Sequence, residues 1–143
     1  MNDRGAAGFA GFAGFAYWAL LVLGGLALAN GLVMLIAPES WFLRIAADTG
    51  PLNFHLVRDV GAAYATSGIA ALWAARAPQF RAPLAISAAL CQGLHGAIHV
   101  FEVLAGSQPA RHLLEDFPGV YLPTLILIGI AVHAFRSPTA TRA

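Results

Sequence analysis

Lysine is absent from the chain, and only 10% of its 143 residues are charged. A soluble domain carries roughly 25% charged residues, so this shortage excludes an ordinary water-facing surface. The basic residues are eight arginines, which against seven acids leave a formal net charge of +1. No basic block is present to hold a nucleic acid. The single cysteine, Cys91, excludes an intrachain disulfide and a metal site built from cysteine alone. A Gly-rich phosphate loop, a Gly-x-Ser-x-Gly elbow, a Cys-x-x-Cys pair and His-Glu-x-x-His are all missing. His95 and His99 have the spacing of the last motif, but Gly96 replaces its general base. The alternating strands of a membrane barrel are missing too.

What the chain has instead is apolar length. A helix needs about 20 mostly apolar residues to cross a bilayer. Four segments qualify: about Phe15 to Ile36, about His55 to Ala75, about Ala82 to Ala105, and about Pro118 to Phe135. Pro38, Pro78, Gly106 and Pro138 punctuate their ends. The connections are short, which predicts an all-α, integral membrane four-helix bundle with up-down topology. The expected organisation is a low-complexity lead-in over 1–14, a four-span domain over 15–136, and a short tail over 137–143. The lead-in repeats Gly-Phe-Ala three times, starting at Gly8, Gly11 and Gly14. A cleaved signal peptide fits less well, because apolar residues continue past the small residues Ala27-Leu28-Ala29 to Ala37. Arg4, Arg76, Arg81, Arg136 and Arg142 collect on one side, so the positive-inside rule places both termini in the cytoplasm of a bacterial inner-membrane protein.

Ionisable residues are costly in hydrocarbon, so those inside spans mark a site by default. His95, His99 and Glu102 are spaced i, i+4, i+7 in the third segment, within roughly 60° of one another on a helix. His55, Arg58 and Asp59 share a face at the start of the second segment. With 1.5 Å rise per residue, the two stripes overlap in depth in the outer leaflet. If they face each other, His55, Arg58, Asp59, His99 and Glu102 form one cluster, with His95 and Gln92 beneath it. Gly61, Ala62, Ala65 and Gly68 would then approach Ala89, Gly93 and Gly96.

Three readings of this cluster follow. In the first, Arg58 neutralises Asp59 and Glu102 in a structural network or partner interface. In the second, His55, Asp59, His95, His99 and Glu102 ligate a transition metal, or His55 and His99 hold a haem. In the third, the cluster binds a small ligand or lipid, with Arg58 offering its fork of donors. The leading expectation is an accessory or interaction protein whose partners are the bilayer and a membrane protein or second copy. The rival is a metal- or haem-dependent membrane oxidoreductase or its subunit. His133, near the opposite end, reads as a lone interfacial histidine. The Arg111–Asp116 stretch, with His112, is either a short helix capping the cluster or a solvated connection. Trp41 and Phe42 read as interfacial aromatics requiring no site.

The stretches Asn53-Phe54-His55-Leu56-Val57-Arg58-Asp59-Val60-Gly61 and His95-Gly96-Ala97-Ile98-His99-Val100-Phe101-Glu102 resemble small uncharacterised bacterial four-span proteins of the DoxX-like type. The likeness runs from about residue 15 to 136 and rests on span count and on polar residues at helix ends. Some relatives serve quinone-linked redox systems or the maturation of redox enzymes, and the resemblance implies a role of that kind. No cofactor motif carries the role across, and the cysteine chemistry of redox members is absent.

Overall fold

A computed structural model describes residues 3–136, with side chains described from Gly11 onward. The expected tail, 137–143, lies outside the described residues. Every regular element among them is helical. Helix α1, Asp3–Ile36, is a single helix that takes in most of the expected lead-in. It stops before Ala37-Pro38, because a residue preceding proline is pushed out of the helical region. Pro38 then opens α2, Pro38–Ile45, at a position where its missing N–H costs nothing. Helix α3, Phe54–Arg76, starts at Asn53, whose side-chain oxygen accepts from the Leu56 amide at 3.1 Å. A 3₁₀ turn at Pro78–Phe80 leads into α4, Arg81–Leu104. Gly106, at φ +75°, takes the left-handed conformation that turns the chain away. The short α5, His112–Glu115, and a wide π-type turn at Phe117–Tyr121 precede α6, Leu122–Arg136.

Three stretches are long and apolar enough to cross a membrane: Gly11–Ile36, Pro78–Leu104 and Phe117–Arg136. Helix α3 falls short of that hydropathy, because Arg58, Asp59 and Arg76 join a middle rich in Gly, Ala, Thr and Ser. The perimeter is nevertheless apolar: Ile36, Leu94, Phe101 and Leu104 are 67–80% exposed. A contiguous surface of that kind calls for a non-aqueous surrounding.

The most extensive contact joins α1 and α3. Small residues make it, but not in the expected pairing. Gly61 and Gly68 face α1 rather than α4. A Cβ built on Gly31 would lie 2.5 Å from Ala65 N and Gly61 O, and one on Gly68 would lie 2.5 Å from Leu28 N. Gly24 meets Gly68 and Gly31 meets Gly61, so α1 and α3 run antiparallel in van der Waals contact of backbone on backbone. The glycines of α4 face the last helix and the turn before it instead: Gly93 approaches Thr124, and Gly96 approaches Val120 and Tyr121. Helices α3 and α4 also pack together, joined by Ser67 Oγ donating to Ala88 O at 3.5 Å. Alanines such as Ala71, Ala74, Ala85 and Ala88 fill the shared core around Leu20 and Ile130. Toward the end where α2 and the connection between α4 and α6 lie, the helices enclose space.

Candidate functional site

That space is a cavity of about 690 Å³, running from Leu23, Ala71 and Leu127 at its base to Asp48, Gln108 and Glu115 at its rim. Helix α2 folds across it. Phe42 is buried against Met34 and Val57, and Trp41 Nε1 donates to Asn30 Oδ1 at 2.8 Å. Trp41 and Phe42 are therefore part of the cavity wall and not merely interfacial aromatics.

Helix α4 supplies the polar groups of the wall. Gln92, His95 and His99 follow one another at i, i+3, i+7, and so project from one face of α4. Gln92 is only 5% exposed and borders the cavity; the buried polar atoms left without a hydrogen-bond partner among the described residues are His112 Nε2 and Tyr121 Oη. His95 Nε2 lies 3.0 Å from His99 Nε2, and His99 Nδ1 lies 2.7 Å from Asp116 Oδ2. The result is an Asp–His–His chain leading from the connection between α4 and α6 into the cavity. The Tyr64 ring of α3 meets His95 edge-on, with centroids 5.4 Å apart at 80°. Among the described residues, His95 Nδ1 has no hydrogen-bond partner.

Three expected members stand elsewhere. His55 pairs with Asp59 at 3.3 Å, and their side chains are 88% and 62% exposed. Arg58 reaches the Leu35 carbonyl at 3.4 Å and lies over Phe54. None of the three lines the cavity that His95, His99, Glu102 and Gln92 share. The expected single cluster therefore does not form, because Val57, Val60 and Tyr64 occupy the inward face of α3. Arg58 does not neutralise Glu102, and His55 and His99 are not a haem pair. Among the described residues, no three His, Cys, Asp or Glu side chains come together so as to hold a metal ion. The donor set of His55, Asp59, His95, His99 and Glu102 does not fit one.

Asp116 is the residue that the sequence pattern did not expose. It sits 17 positions from His99, just beyond α5, and no helical spacing links the two. The Arg111–Asp116 stretch does form a short helix, and it lies over the cavity rim. His112 Nε2 lies 3.4 Å from Asp48 and 3.8 Å from Glu115, too far for a good hydrogen bond, and is buried without one. At the other end of the molecule, His133 stacks on Phe12 with centroids 3.7 Å apart.

Chemically, the site has an apolar depth, an amide and an imidazole in the wall, and a carboxylate-rich rim. Asp48, Glu102, Glu115 and Asp116 all contribute to the lining, and no arginine does so among the described residues. No family model, curated protein or solved structure matches the chain significantly.

Proposed function

We propose that this chain is a four-span, up-down inner-membrane protein that binds an amphipathic, lipid-soluble molecule in its cavity, acting as an accessory protein and not as a metal centre. The reading rests on the cavity, whose mostly apolar wall carries the Gln92 amide and the His95 imidazole as polar groups suited to a ligand head. Here the amide borders a cavity of about 690 Å³, inside the roughly 300–1,000 Å³ range of small-molecule sites. A ligand head with an oxygen atom satisfies Gln92 and His95 together, and an apolar body fills the base near Leu23, Ala71 and Leu127. Helix α3 completes the fourth span, its polar side chains at the outer end and its small residues sheltered by α1. The arginine distribution places both termini in the cytoplasm and the cavity rim on the outer face.

Two measurements test this. Full-length protein in nanodiscs of zwitterionic lipid should bind radiolabelled decanol saturably, above the uptake of empty discs. Val60→Trp, which places an indole in the cavity, should remove the saturable part; equal binding by both proteins would place the ligand elsewhere. A reporter that is active only in the cytoplasm, fused after Ala143, should be active. Activity of a periplasm-specific reporter there would invert the orientation.

A further inference from the structure

The hydrogen-bonded chain narrows the chemistry of the ligand head, and this step rests on the ligand-binding reading above. An ionised Asp116 only accepts hydrogen bonds, so His99 Nδ1 carries a hydrogen. Beyond it, the contact between the two Nε2 atoms admits two proton arrangements. In one, His95 Nε2–H donates to a neutral His99, and His95 Nδ1 is a bare acceptor. In the other, one more proton is present. His99 is then an imidazolium balanced by Asp116 and donates to His95 Nε2, while His95 Nδ1 carries a hydrogen. The same nitrogen thus offers the ligand either a lone pair or an N–H, according to a single proton.

The charges around the cavity supply the second observation. Its fixed charges are the carboxylates Asp48, Glu102, Glu115 and Asp116; Arg111 pairs with Glu115 at 3.6 Å from outside the lining, and no arginine lines the cavity among the described residues. The remaining titratable groups around the chain are Tyr64 from α3, Tyr121 from the π-type turn and His112 from α5, none of which is a permanent cation. A permanently anionic head would find carboxylates but no unpaired cation in the lining, and a buried charge is tolerated only when paired.

We infer that the cavity takes a weak organic acid with an apolar body, a compound with an acidic hydroxyl, together with its own proton. As the O–H bond of the ligand breaks, the Nδ1–H bond of His95 forms. As the Nε2–H bond of His95 breaks, the Nε2–H bond of His99 forms. The electron pair left on the ligand oxygen is held by His95 Nδ1–H and a Gln92 amide N–H. The positive charge rests on His99 beside Asp116, and the net charge of the occupied site is the same before and after the shift. Gln92 and His95 are neighbours on one helix face at i, i+3, which lets both reach one ligand atom.

Calorimetric titration of the full-length protein in zwitterionic nanodiscs tests this, with decanoic acid as the probe, in pairs of buffers that differ in ionisation heat. Above the carboxylate range, each decanoate bound should draw about one proton from solution, and its apparent affinity should fall about tenfold per pH unit. Decanol, which brings no acidic proton, should bind without that dependence. Asp116→Asn keeps an acceptor for His99 but removes the balancing charge. It should abolish most of the proton uptake and weaken decanoate at least tenfold more than decanol. Decanesulfonate binding as tightly as decanoate, or decanoate binding without proton uptake, would overturn the inference. So would preferential binding of decyltrimethylammonium, which would assign the carboxylates to a cation. If decanol itself fails to bind, the cavity reading falls. If decanol binds and decanoate shows no proton linkage, only the present inference falls.

Discussion

Replacing Gly31 with leucine should prevent stable accumulation of the protein, the largest effect expected of any single substitution here. A Cβ at this position alone would lie 2.5 Å from both Ala65 N and Gly61 O. Both obstacles are backbone atoms of α3, so no side chain can rotate away and the helices must separate. Overpacking a well-filled interior costs about 1–3 kcal/mol, and Gly31 belongs at the upper end because the clash is with main chain. Separation also opens the neighbouring contact of Gly24 with Gly68, since one rigid helix carries both glycines. Gly25 is the control, because a Cβ there meets nothing within 4 Å. Gly25→Leu should accumulate normally, as judged by membrane yield and by the monodisperse peak in detergent. If Gly31→Leu matches it, the close α1–α3 contact is wrong.

The second large effect is expected from His99→Leu, which removes the central member of the chain. Asp116 loses its only side-chain partner among the described residues, and His95 loses its contact as well. A hydrogen bond to a charged group contributes about 1.5–3 kcal/mol, and the His99 and Asp116 side chains are only 26% and 21% exposed, so solvent replaces little of it. The loss is local. The bond ties the connection between α4 and α6 to α4, and without it amide exchange over 106–121 should speed up while exchange in α1 and α3 stays unchanged. His55→Leu, at a side chain 88% exposed, should alter neither. Unchanged exchange in His99→Leu would show that the connection is held by other contacts.

How far the sequence reached depends on the range of each interaction. The helices were legible because apolar length and the breaks at Pro38, Pro78 and Gly106 are properties of short segments. Gln92, His95, His99 and Glu102 lie on one helix and share the cavity as their spacing predicts, since helical periodicity is also local. The facing partner was not legible. Helical rise leads one to expect His55, Arg58 and Asp59 beside the polar stripe of α4, yet rotation of α3 about its own axis decides whether they look inward. That rotation is fixed by the backbone contact of Gly61 and Gly68 with α1, which turns Val57 and Tyr64 to the cavity and leaves the charges outside.

Composition and periodicity by themselves therefore determined a helical, apolar chain with a histidine stripe on one helical face. Only the tertiary structure decided what that stripe faces. Asp116 comes to His99 across a loop and a short helix, Trp41 comes to Asn30 across a proline break, and the cavity is enclosed by side chains from all of these segments. These are contacts between segments. Their geometry depends on how all the helices pack at once, and no spacing along a single segment encodes it.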